Sequence, residues 1–136
     1  MPAAARAHTE EGAKAFAAVY LTTYSRAAVR ADSAPLVTLS DKTCGGCQSL
    51  IDLIDEYRAK GQHVDKASLV IDDSLLRADS SSDRPVVDVL AKDEKKRVLN
   101  ADGSIAKTVA GANINFRLTL NWTQDGWRVR DLRVVQ

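Results

Sequence analysis

Histidine is almost missing from this chain, and cysteine, proline and aromatic residues are scarce: two His, two Cys, three Pro and 5% aromatic side chains in 136 residues. A zinc site built on the cysteines would need two further ligands. Only His8, near the N-terminus, and His63, in a turn, could supply them, so neither a metal nor another cofactor is expected. Long apolar runs are lacking too, and none reaches the roughly 18 residues that argue for a membrane helix. Nor is there an excess of charge of one sign, because 19 Lys and Arg face 18 Asp and Glu for a formal net charge of +1. Without a long-range field to attract polyanions, nucleic acid and anionic membrane surfaces are not expected as partners. The one cationic cluster, Lys95-Lys96-Arg97, is offset by Asp93 and Glu94 and reads as a solvated edge. No Gly-x-Ser-x-Gly, Gly-rich phosphate loop or Gly-x-Gly-x-x-Gly is present, which removes the common hydrolase and nucleotide-binding readings.

What is there describes an ordinary globular protein, 45% hydrophobic and 27% charged, of a length that suits a single domain with one core. Met1-Pro2-Ala3-Ala4-Ala5 has neither the charged nor the apolar part of a signal peptide. Residues 1–8 are expected to be a flexible leader and residues 9–136 the folded domain. Thr9 suits an N-cap, with Glu10 and Glu11 favouring the positive end of the helix dipole. Ala13, Phe16, Ala17, Tyr20, Tyr24, Ala27 and Ala28 then recur at helical spacing, giving one core-facing stripe about six turns long. Asp32-Ser33-Ala34-Pro35 should end that helix and open a short second one that turns Leu36, Val37 and Leu39 inward. A third helix follows the cysteines, with Cys47, Leu50, Ile51, Ile54 and Tyr57 as its stripe and Gly61 as its left-handed cap.

From Val64 the pattern becomes extended. Ser68–Leu76 and Pro85–Ala91 read as strands around an Asp79–Asp83 loop, and Asn100-Ala101-Asp102-Gly103 as a further turn. Ala112, Ile114, Phe116, Leu118, Leu120 and Trp122 alternate without a break against polar neighbours, which requires a strand with one buried and one wet face. Asp125-Gly126 is then expected to turn the chain into a last strand, Trp127–Val135. Counting outward from that turn opposes Trp122 to Val129 and Leu120 to Asp131. A carboxylate would then sit on the apolar face, so a bulge near Arg130 and Asp131 is expected, turning Leu132 and Val134 to the core and Asp131 outward to a neighbour such as Arg117.

The order of N-terminal helices followed by long strands, closing on Gly126-Trp127-x-Val129, resembles the NTF2-like (cystatin-like) superfamily. That resemblance implies an α+β fold, N-terminal helices packed on a curved antiparallel sheet in an NTF2-like cone. More narrowly, Thr9-x-x-Gly12-Ala13-x-x-Phe16 with Cys44-x-x-Cys47 looks like a family of actinobacterial lipoproteins of unknown function. This implies an exported, extracytoplasmic domain tied to the membrane only through a lipid anchor outside this chain.

Cys44-Gly45-Gly46-Cys47 can serve as half of a metal site, a redox dithiol or a structural disulfide. No strand of a βαβ unit precedes it, and no aromatic residue of the thioredoxin kind, so a structural disulfide is preferred. The expected function is a non-enzymatic binding module for an unidentified protein or small apolar ligand. The sheet leaves room for a homodimer of the kind many cone folds form. The candidate pocket comprises Tyr20, Tyr24, Phe116, Leu118, Trp122 and Asp131. One alternative is a small-molecule isomerase or dehydratase that uses the cone, with Asp131, Asp72, Asp73, His63 or Tyr20 as acid or base. Another is a redox protein acting through the cysteine pair.

Overall fold

The computed structural model of the chain describes residues 1–135. Thr9 has extended backbone, and its hydroxyl accepts the Gly12 N–H at 2.9 Å, satisfying one free donor at the start of α1 (Glu10–Arg30). Ala13, Phe16, Ala17, Tyr20, Ala27 and Ala28 are buried along the expected stripe, Tyr24 is half-buried, and Leu21, outside that stripe, is buried as well. Helix α2 (Ala34–Leu39) buries Leu36 completely, but Val37, expected inward, is 51% exposed. A helix of six residues offers the core one narrow face, which Leu36 and the half-buried Leu39 occupy, three positions apart. Cys44 caps α3 (Gly45–Ala59), whose Cys47, Ile51, Ile54 and Tyr57 are buried while Leu50 is only half-buried, and Gly61 follows at φ +66°.

Seven strands follow: β1 (His63–Val64), β2 (Leu69–Leu76), β3 (Val86–Asp93), β4 (Lys96–Leu99), β5 (Ile105–Val109), β6 (Ala112–Thr123) and β7 (Gly126–Val135). They form two open antiparallel sheets, β2-β3-β6-β7 and β1-β4-β5. The helices cover one face of the curved larger sheet. Val87, Val89, Leu118, Leu120, Trp127 and Val129 there meet α1–α3 in a single core. Every inward residue of β6 from Phe116 to Leu120 is buried and the polar set is not, as the alternation requires.

The last hairpin differs from the count made outward from Asp125-Gly126. Gln124 and Asp125 form the turn, so Thr123 opposes Gly126 and Trp122 opposes Trp127. The register slips once, between Thr119 and Leu120, and Arg130 is the extra residue. Val129 therefore opposes Leu120 and Asp131 opposes Thr119, so the bulge near Arg130 turns Leu132 into the core, as expected. Val134 does not follow and is 59% exposed, because it lies at the end of an edge strand, away from the helices.

Strands β1, β4 and β5 were not legible, being short or wet on both faces. They take up His63, expected in a turn, and most of the Lys95-Lys96-Arg97 cluster, expected as a solvated edge. Lys95 and Arg97 are exposed as expected, Arg97 pairing with Asp65 at 3.0 Å, whereas Lys96 is largely covered and offset by Asp93 at 3.0 Å.

Nor are residues 1–8 a loose leader. Ala3–Arg6 form a 3₁₀ turn, Ala5 is 2% exposed, and the indole of Trp127 donates to the Ala7 carbonyl at 2.9 Å. A β-carbon at Gly12 would stand 2.0 Å from the Ala7 oxygen, so only glycine lets this segment lie so close to α1. Burial of Ala5, the Trp127 hydrogen bond and the stacking of His8 on Trp122 each favour the seated segment.

Candidate functional site

Cys44 and Cys47 are joined as a disulfide, with Cα atoms 5.2 Å apart. The bond closes the turn that starts α3 and is held against β7. The Asp41 N–H donates to the Val129 carbonyl at 2.8 Å, Cys47 Sγ lies 3.8 Å from the same oxygen, and a β-carbon at Gly46 would meet the Leu132 carbonyl at 2.0 Å. Both cysteines are at most 2% exposed, so no partner thiol reaches them in the folded state, whereas working redox thiols need access.

The six candidate pocket residues do not share one chamber. Tyr20, Phe116 and Leu118 fill the cone as core. The Tyr20 hydroxyl meets Ser40 Oγ at 2.8 Å, and burial pushes its phenol up to about 12. Tyr24 lies toward the other end of α1, and Trp122 at the tip of the last hairpin. Asp131 is on the opposite, outer face, pairing with Arg133 at 2.9 Å rather than with Arg117, which binds Asp88 instead. Asp72 and Asp73 are exposed on edge strand β2, and His63 sits on β1.

A polar cluster that sequence reasoning missed lies beneath the end of β3. Asp93 accepts from the Ser68 hydroxyl and, at 3.0 and 3.3 Å, from Lys96 Nζ, while the Ser25 hydroxyl accepts the Leu69 N–H. Burial raises the Tyr24 phenol to about 12, with Tyr57 and then Asp93 adding to it. Tyr57 is raised by burial first, then by Glu56 and Asp93. Acid, phenols and ammonium are thus assembled, but the gap beside them measures about 10 Å³. That is room for roughly one water molecule. The only hint in the sequence was an acid three residues before a lysine across a turn, a spacing that ordinarily marks a surface pair.

Open space lies instead at the end where the leader is seated. Two clefts, of about 390 and about 400 Å³, flank Trp127. Between them the His8 imidazole stacks on Trp122 with ring centroids 4.2 Å apart, and both rings meet Trp127 edge-on. The first cleft is lined by Thr9, Glu10, Ser80–Ser82 and Asp83 together with Leu76, Pro85 and Trp127. The second runs between the leader and the β6–β7 hairpin, walled by Phe16, Leu39 and both indoles, with Arg6 and Arg128 lining it as well.

No protein-family model and no curated protein sequence matches this chain. Solved structures do. The intermembrane space region of the chloroplast protein ARC6 superposes with a TM-score of 0.63 at 18% identity, covering 93% of this chain and 96% of that one. The β subunit of benzoate 1,2-dioxygenase from Burkholderia mallei gives 0.59 at 12% identity, covering 89% and 88%. A Streptomyces avermitilis protein described as a dehydratase of the NTF2-like family gives 0.54 at 14% identity, covering 93% and 96%. At these identities the likeness establishes the fold, which is NTF2-like, and nothing narrower.

Proposed function

We propose that this chain is a non-catalytic binding domain that works outside the cytoplasm. The observation that carries the reading is the filled cone: Tyr20, Phe116, Leu118 and Leu120 occupy the interior in which a catalytic NTF2-like protein would hold its substrate, and the gap beside Asp93 has room for roughly one water molecule. Among the described residues, open space lies outside this core, in two clefts beside the indoles and in others along the outer sides of the helices. The compartment rests on the disulfide, a bond that persists in oxidising surroundings, and on the likeness to a domain from the chloroplast intermembrane space. Attachment through an upstream lipid rests on the resemblance to actinobacterial lipoproteins alone. A protein partner, including a second copy of the chain, fits the same reading.

Isomerase or dehydratase chemistry is the second reading, favoured by the Tyr24–Tyr57–Asp93–Lys96 cluster and by the neighbour described as a dehydratase. Titrating small cyclic enones and phenols into labelled protein separates the two. Resonance shifts confined to the leader end or the outer surface support the binding domain. Saturable shifts at Tyr24, Phe116 and Leu118 would show a core that opens to substrate and would replace the first reading by the second.

A further inference from the structure

We propose that the cleft between the leader and the β6–β7 hairpin binds a small amphipathic organic anion, its apolar body against Trp122 and Leu39 and its carboxylate between Arg6 and Arg128. The proposal deepens the binding-domain reading and rests on it. At about 400 Å³ the cleft falls near the small end of ligand sites and suits a body of about ten carbon atoms. Its apolar lining comes from the half-buried Leu39 at the end of α2 and the half-buried Trp122 on the hairpin, with only the rims of the buried Phe16 and Trp127.

Charge selects the head group. Arg6 is exposed and takes part in none of the ion pairs among the described residues. Arg128 spends one terminal nitrogen on the backbone carbonyls of Trp127, at 2.7 Å, and Asp125, at 3.4 Å. Those bonds hold the guanidinium at the hairpin and leave its remaining donors free. Asp125 is the only acid in the lining, against two guanidiniums. A planar guanidinium fork matches a carboxylate, and both partners being ionised strengthens each bond. The neighbouring cleft, with Glu10 and Asp83 in its lining, repels an anion.

The test titrates 1-naphthoate, the neutral 1-naphthamide and 1-naphthylmethylammonium into the labelled chain and follows the indole N–H resonances of Trp122 and Trp127. Naphthoate should shift both saturably and bind at least about tenfold more tightly than the amide, the loss expected when one charge-assisted contact is removed. Arg6→Gln, at a side chain with no hydrogen-bond partner among the described residues, should remove most of that advantage, and Arg6→Gln with Arg128→Gln all of it, with amide binding unchanged. Equal affinity for acid and amide, tighter binding of the ammonium, or no shift with any probe would overturn the site. Naphthoate shifts elsewhere on the surface would overturn it while leaving the binding domain standing. Shifts at Tyr24 and Phe116 would remove both.

Discussion

The indole Nε1 of Trp127 donates to the Ala7 carbonyl at 2.9 Å, joining two residues 120 positions apart and seating the N-terminal segment on the last hairpin. Trp127→Phe keeps much of the apolar volume and leaves that carbonyl without its donor, at a cost of about 1–3 kcal/mol. Amide hydrogen exchange should then accelerate at Ala5 and Ala7, whose N–H groups close the 3₁₀ turn, more than in β3 or β6. A uniform acceleration across the chain would mean that the indole supports the core and not the segment.

The disulfide should resist reductant while the fold holds, because both cysteines are buried beneath β7. Native protein treated with a mild thiol reductant should take up no alkylating reagent until it is unfolded, as mass spectrometry will read. Replacing both cysteines with serine should cost about 2 kcal/mol on the chain-entropy model, since the closed loop is short. Rapid double labelling of folded protein would restore the redox reading.

On the outer sheet face, Asp88 and Asp131 look alike in sequence and should behave differently. Asp88 lies between Arg117 at 2.8 Å and Arg77 at 3.3 Å, and hydrogen bonding from Arg117 holds its carboxyl below the ordinary carboxylate range. A depressed folded pKa contributes stability that is present above the unfolded value of about 3.9 and lost as pH falls through the folded one. Asp88→Asn should therefore destabilise by about 1 kcal/mol at pH 7 and flatten the acid limb of the stability profile. Asp131→Asn, at a 40% exposed carboxylate with one neighbour on its own strand, should change stability by no more than a few tenths of a kcal/mol. Denaturant melts from pH 2 to 7 make the comparison, and identical profiles would refute it.

Tyr20 and Tyr24 contribute to the alkaline limb. Burial raises both phenols to about 12, whereas the unfolded chain ionises near 10. Their contribution is complete below about pH 10 and drains away as pH rises toward 12, by about 1.4 kcal/mol per pH unit for each group. Tyr20→Phe should weaken the slope of stability between those limits, at a cost near neutrality of about 1 kcal/mol for the bond to Ser40. Phenolate absorbance appearing at pH 10 in folded protein would show that these side chains are hydrated.

Much of the fold could be read from short-range rules. The Thr9 cap, the stripes of α1 and α3, the Gly61 turn and the buried side of β6 each depend on residues a few positions apart, which cap geometry and side-chain periodicity govern. Even the bulge near Arg130 was foreseeable, because unbroken alternation would have put Asp131 in the core. Val37 and Val134 show where such reasoning stops: each is apolar, yet Val37 lies off the one narrow inward face of its short helix, and Val134, though in phase with the buried Leu132, sits at the end of an edge strand.

The amino-acid sequence by itself determined the class of the domain, its helix starts, and which side of its longest strand is dry. Whether the cone is filled or open, that Asp93 is bound by Ser68 and Lys96, and that His8 and Ala7 settle on Trp122 and Trp127 were decided only by tertiary structure. The first group follows from conformational preferences and side-chain periods that act within a turn or a strand. The second follows from close packing and desolvation between segments distant along the chain, where a shift of one residue in register exchanges a buried side chain for an exposed one.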